Sequence, residues 1–90
     1  MNNKIILESL ALDLKRVALG YHRESYKMAE RFYEEAYKRT TEVDLVLLKP
    51  YLKKVLEKVQ TLEGKDAKSI AEEAQMLSTL IQNYSIKYLG

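Results

Sequence analysis

His22 is the only histidine of the chain, and there is no cysteine. Activated serine and cysteine nucleophiles usually depend on a histidine base, so nucleophilic catalysis would have to be built around this one imidazole. Tyr21 and Arg23 flank it, in a setting typical of a surface histidine. The missing thiols also exclude a disulfide framework and a thiolate metal site. We therefore expect no catalytic residue, no metal site and no cofactor.

Arg16 and His22 are separated by five residues. This spacing is similar to the Arg-x4-6-His motif of HEPN-type ribonucleases, and the resemblance covers these two residues. It implies a helical dimer in which an arginine and a histidine from two subunits act on a phosphodiester. A ribonuclease that depends on His22 is accordingly a remote alternative function.

Carboxylates are frequent, but their spacing is typical of an exposed helix face. Glu30 and Glu34, like Glu72 and Glu73, lack the histidine that the Glu-x-x-His element of di-iron bundles requires. The three glycines, at positions 20, 64 and 90, are too dispersed for a phosphate-binding loop. These patterns favour a protein without enzymatic activity or a small-molecule substrate.

Basic residues beside tyrosines predict the main alternative function, nucleic-acid binding. Lysine and arginine contact phosphates, and tyrosine stacks on unpaired bases. Interleaved glutamates favour a solvated face of mixed charge instead. The candidate residues for this alternative are Arg16, Arg23, Lys27, Arg31, Lys38, Lys49, Lys53, Lys54 and Lys58.

Apolar residues spaced by seven predict the principal function, which is protein–protein interaction. Ile5, Leu12, Leu19, Tyr26 and Tyr33 would share one helix face, separate from a second apolar row that forms the core. Such an additional row indicates contact with another chain, and we expect a homodimer or a place in a larger assembly. The candidate interface residues are Leu12, Leu19, Tyr26, Tyr33 and Tyr37.

The elements that position these residues are helical, because apolar residues recur at steps of three and four and no strand-like alternation is found. The predicted fold is all-α, a small antiparallel bundle. One interpretation has three long helices, at about 4–39, 42–62 with a kink near Pro50, and 67–88. In the other, the first helix breaks near Gly20, giving a four-helix up-down bundle.

Pro50 leaves a further alternative, because proline disrupts a helix interior but suits a first turn. Instead of a kinked helix, a short helical turn at 42–48 would precede a helix that begins at Pro50. In both cases Leu45 opens the apolar row of this segment. Gly64, as the C′ residue of the preceding helix, and Asp66, as the N-cap of the last helix, mark the turn between the two.

The length of 90 residues predicts a single domain over 1–90. Fifteen basic and 13 acidic side chains leave a net charge of +2, a weak bias. The apolar stretch near the start is interrupted by Glu8 and Asp13, and a spanning helix needs about 20 apolar residues. We expect a cytoplasmic protein with no membrane partner.

Overall fold

Four α-helices and two short turns of other helical types make up most of the computed structural model, which describes residues 2–89. The elements are α1 (Asn3–His22), α2 (Tyr26–Glu42), a 3₁₀ turn (Leu45–Leu47), α3 (Pro50–Gln60), α4 (Ala67–Tyr84) and a π-helical turn (Ser85–Leu89). No strand occurs in this range. The all-α prediction is confirmed, and the three-helix interpretation is wrong. Residues 1 and 90 of the predicted domain lie outside the described range.

The chain reverses between α1 and α2 through a Schellman-type C-cap. The backbone N–H of Ser25 donates to the carbonyl of Gly20 at 2.8 Å, and that of Glu24 donates to Tyr21 at 3.2 Å. Glu24 adopts φ 56°, the left-handed conformation that glycine usually supplies at this position. The break that was predicted near Gly20 therefore occurs four residues later, at Glu24. Glutamate is not a residue type that indicates the end of a helix.

Gly20 lies inside α1, where it allows the two helices to touch. A Cβ atom added to Gly20 would lie 2.9 Å from the N, Cα and Cβ atoms of Ala29 in α2. Real Cβ atoms essentially never come this close to other heavy atoms, so the contact requires glycine. Gly20 is a packing residue and not a cap.

Pro50 occupies the first turn of α3, as the alternative without a kinked helix predicts. Its missing N–H is not needed there, whereas inside a helix it would break a hydrogen bond. A continuous helix over 42–62 is therefore wrong. The expected core position of Leu45 is also wrong, because Leu45 lies in the 3₁₀ turn and is exposed.

The α4 helix begins where the sequence predicts. Asp66 is its N-cap, and the Ser69 backbone N–H donates to the Asp66 carboxylate at 2.8 Å. This hydrogen bond holds the pKa of the Asp66 carboxyl below its usual value. The predicted end near residue 88 lies in the π-helical turn that follows α4.

The α1 helix packs against α2 on one side and α4 on the other, and α3 contacts α2 and α4. Arg39 Nε of α2 donates to the buried Asp13 carboxylate of α1 at 2.6 Å. On the opposite flank, the Ser78 hydroxyl of α4 donates to the Ala11 carbonyl at 2.7 Å. The sequence pattern indicated neither polar contact.

Removing the glycine at position 20 and introducing one at position 24 are expected to change the stability of the fold in opposite directions. Gly20→Ala should destabilise the fold by about 1–3 kcal/mol, because overpacking at Ala29 outweighs the better helix propensity of alanine. Glu24→Gly should stabilise it by about 1 kcal/mol, because it relieves the left-handed backbone strain. Urea unfolding followed by circular dichroism measures both, and an equally stable Gly20→Ala protein would contradict the packing role.

Two buried serines near the end of the chain provide a matched test of hydrogen-bond satisfaction. Ser78 is bonded to Ala11, whereas the buried Ser85 hydroxyl has no hydrogen-bond partner among the described residues. Ser78→Ala should destabilise the protein by about 1 kcal/mol, and Ser85→Ala should be neutral or stabilising. Comparison of the two urea midpoints tests this. A larger loss of stability in Ser85→Ala than in Ser78→Ala would contradict the hydrogen bonding described for the two serines.

Candidate functional site

An apolar row on the outer face of α1, formed by Ile5, Leu12 and Leu19 and here called the outer row, is exposed to solvent. These side chains are 54%, 47% and 41% exposed. Residues two positions apart on a helix are about 200° apart around its axis, so Leu12 points away from the buried Leu10 and Leu14. The flanks of α1 are taken by α2 and α4, and no described element covers the outer row.

Charged side chains lie along both edges of the outer row. On the α4 side, Glu8 and Lys15 line a shallow depression together with Leu12 and Gln82. On the α2 side, the Arg16 guanidinium lies 5.1 Å from the centre of the Phe32 ring. This geometry is a cation–π contact, which holds Arg16 beside the row. The outer row is thus an apolar strip with both signs of charge at its margins.

The three predicted interface tyrosines do not continue this row. The Tyr33 hydroxyl donates to the Val59 carbonyl at 2.8 Å, which places Tyr33 between α2 and α3. The Tyr37 ring lies 6.4 Å from that of Tyr33, and Tyr26 is 5.9 Å from Tyr21 at the turn. The spacing of seven is interrupted at the α1–α2 turn, so Leu12 and Leu19 lie apart from the tyrosines.

Burial raises the pKa of the half-buried Tyr33 hydroxyl above its usual value of 10.0, and the backbone of Leu62 partly opposes this shift. The neutral phenol is therefore the form that the fold stabilises. Tyr26 and Tyr37 remain about half exposed. Tyr33 differs from both in the hydrogen bond that its hydroxyl donates to the Val59 carbonyl.

The predicted nucleic-acid residues are distributed over several elements. Arg16 lies in α1 and Arg23 is its C-cap, whereas Lys27, Arg31 and Lys38 are exposed on α2. Exposed glutamates at positions 30, 34 and 35 lie among the α2 residues. The four remaining lysines, Lys49, Lys53, Lys54 and Lys58, precede α3 or lie within it.

The two residues of the Arg-x5-His spacing have different neighbours. Arg16 contacts Phe32 of α2, whereas His22 lines a shallow groove with α4 residues that include Met76 and Leu80. Within one chain the structure does not bring them together. Over residues 2–89, no group of three or more histidine, aspartate or glutamate side chains could hold a metal ion.

A second exposed apolar surface was missed by the sequence reasoning. Val46 and Leu47 of the 3₁₀ turn are 87% and 70% exposed. The signal was present as four consecutive apolar residues, Leu45 to Leu48, immediately before Pro50. A helix cannot place four consecutive residues on one face, so this run should have indicated exposure of some of them.

Comparison with known proteins found no matching family model, no matching curated protein and no matching solved structure. In the described part of the chain, no helix is both long and apolar enough to cross a membrane.

Removal of the Tyr33 hydroxyl is expected to destabilise the fold. Tyr33→Phe should cost about 1 kcal/mol through loss of the bond to Val59, and Tyr37→Phe should change stability by less than about 0.5 kcal/mol. The pKa of Tyr33 is raised in the folded state, so its advantage over phenylalanine should be constant below pH 10 and decline as the pH rises through the folded pKa. Urea midpoints from pH 7 to 11 measure both effects. If the Tyr33→Phe and Tyr37→Phe variants lost equal stability, the hydrogen bond from Tyr33 to Val59 would be contradicted.

Proposed function

We propose that this protein is a non-enzymatic helical interaction module that associates with a second copy of itself through the outer row. The observation that carries the proposal is an uncovered row of three large apolar side chains along the centre of α1, opposite the core. Burying exposed apolar area is the main favourable contribution in most protein associations. A monomer leaves this area in water, and a second chain would remove it.

The outer row has the symmetry that a twofold interface needs. Ile5 lies seven residues before Leu12, and Leu19 lies seven residues after it. Two antiparallel α1 helices that cross at Leu12 would therefore pair Ile5 of each copy with Leu19 of the other. An isologous interface requires this kind of self-complementarity, since the same patch is used on both copies.

The charges beside the row favour the antiparallel orientation. Glu8 and Lys15 both lie on the α4 side of the row, four residues before and three residues after Leu12, so antiparallel pairing brings Glu8 of one copy toward Lys15 of the other. Parallel pairing would set the α4 side of the row against the α2 side of the other copy and bring Lys15 toward Arg16. Opposed like charges are unfavourable, which selects against that arrangement.

The dimensions of the molecule support an interface of ordinary size. Its Cα atoms extend over 36 × 21 × 19 Å. The area of one long side of this body is close to the ~800 Å² that each partner contributes to a standard interface. The outer row would form the apolar centre, with surface from α2 and α4 at the rim.

The remaining expectations belong to the same proposal. The four helices would form an antiparallel up-down bundle that acts in the cytoplasm, without a cofactor or small-molecule substrate. Tyr26 and Tyr37 would be secondary contact residues, for a different partner or a larger assembly. Nucleic-acid binding is the alternative, and the glutamates among the α2 basic residues disfavour it, because they repel phosphates.

Single-cysteine crosslinking tests the orientation directly, since the native chain has no cysteine. With a short bis-maleimide, Leu12→Cys should yield a crosslinked dimer, because the two positions meet at the twofold axis. Ile5→Cys alone should not, because antiparallel pairing separates the two copies of position 5 by about 21 Å. The double variant I5C/L19C should crosslink. Efficient crosslinking of Ile5→Cys alone would instead demonstrate parallel pairing.

Sedimentation velocity over a concentration series measures the association itself. Leu12→Asp should abolish the dimer, whereas the matched change Leu47→Asp, at an exposed leucine of the 3₁₀ turn, should leave it intact. Glu8→Lys and Lys15→Glu should each weaken association, and the double variant should restore it. A wild-type protein that remains monomeric at high concentration would overturn the proposal.

A further inference from the structure

The 3₁₀ turn between α2 and α3 presents an apolar tip, defined by Leu45, Val46 and Leu47, at one end of the molecule. Leu45 is about half exposed, and Val46 and Leu47 are the two most exposed large apolar residues of the described chain. No core cluster includes them. The tip shares no residue with the outer row, so it is not explained by the proposed dimer.

The tip is held in place from both sides. On one side, the Asn3 side chain accepts the Asp44 backbone N–H at 3.0 Å and donates to the Asp44 carbonyl at 3.2 Å. On the other, the Lys49 backbone N–H donates to the Tyr84 hydroxyl at 3.0 Å. The Asp44 carboxylate also caps the turn by accepting the Val46 N–H. The tip is thus a preformed protrusion and not a loose loop.

Tyrosines and lysines lie next to the tip. The rings of Tyr51 and Tyr88 lie 5.6 and 4.9 Å from the ring of Tyr84, so the three form one aromatic cluster. Lys49 Nζ and Lys87 Nζ lie 4.8 and 5.2 Å from the Tyr88 ring centre. Tyr51 and Tyr88 are both partly exposed. The base of the tip is therefore aromatic and positively charged.

We propose that the tip binds the surface of membranes that contain anionic lipids. A convex apolar protrusion requires a matching pocket in a rigid partner, whereas the acyl region of a bilayer accommodates any apolar shape. Tyrosine is favoured at the headgroup level because its ring is apolar and its hydroxyl remains hydrated. Lysine ammonium groups at that level contact lipid phosphates and carboxylates.

The local charge agrees with an anionic surface. Lys49 and Lys87 lie directly at the aromatic cluster, and Lys53 and Lys54 follow on α3, with Lys54 exposed. The carboxylates close to the tip in sequence are those of Glu42 and Asp44, and Asp44 is engaged by the Val46 N–H. The positive groups at this end exceed the negative ones. The surface contact we propose differs from a membrane-spanning segment, on whose absence the expectation of no membrane partner was based.

Cosedimentation of the full-length chain with vesicles tests the proposal. Vesicles of phosphatidylcholine with phosphatidylserine should bind the protein at least about tenfold better than phosphatidylcholine alone. The double variant V46S/L47S should lower binding by about tenfold or more, because the apolar insertion is lost. The matched variant M76S/L80S, which changes exposed apolar residues of α4, should bind as the wild type does. Equal binding by V46S/L47S, or no vesicle binding by the wild type, would overturn the proposal.

The lysines and the depth of insertion are tested separately. Lys49→Gln with Lys87→Gln should weaken vesicle binding by about tenfold, and Lys65→Gln with Lys68→Gln should not, because these lysines precede or begin α4 at its other end. The chain contains no tryptophan, so Val46→Trp is a unique reporter whose emission should shift to the blue and be quenched by brominated acyl chains. Unquenched emission on bound protein, or binding to a single-stranded oligonucleotide but not to vesicles, would contradict insertion.

Discussion

The contact between Gly20 and Ala29 sets the geometry on which the other features depend. Because a Cβ at position 20 would lie 2.9 Å from Ala29 backbone atoms, α1 and α2 touch backbone to backbone at their turn. From this point the two helices run side by side in opposite directions. Their later contacts follow in register: Asp13 with Arg39, and then Asn3 with Asp44. The last of these contacts positions the apolar tip, so a packing contact at one end of α1 determines what is presented at the other.

The position of α1 between α2 and α4 explains why an apolar row remains on the surface. A helix at the edge of a bundle needs one apolar stripe, whereas α1 has neighbours on both flanks and a third face buried in the core cluster that it shares with α2, α3 and α4. Small residues make the flank contacts: Gly20 toward α2, and Ala11 and Ala18 toward α4. The large residues of the outer row have no role in these contacts. Their retention on the surface is what an interface with another chain would require.

The helical content and much of the core could be predicted from the sequence, because the rows of α1 and α4 repeat at steps of three and four and their inner residues are buried. The turn after α1 could not be located accurately, since Glu24 takes a conformation that usually signals glycine. The role of Gly20 could not be predicted, because glycine is required there by the close approach of Ala29, a residue of another helix. The spacing of Leu45 fits the row that continues through Leu48 and predicts a core position, but the effect of Pro50 on the preceding turn outweighs that spacing.

The exposed apolar surfaces could be predicted less completely than the core, because a surface depends on how elements assemble. Leu12 and Leu19 were correctly separated from the core row, but the spacing that linked them to Tyr26 and Tyr33 crosses a chain reversal and has no structural meaning. The two proposed surfaces also constrain each other. In an antiparallel α1 pair the two apolar tips lie at opposite ends of the dimer, so both cannot rest on one flat bilayer. A dimer attached through one tip would direct the other away from the membrane, and two membranes could be bridged only at a spacing set by the length of the paired bundles.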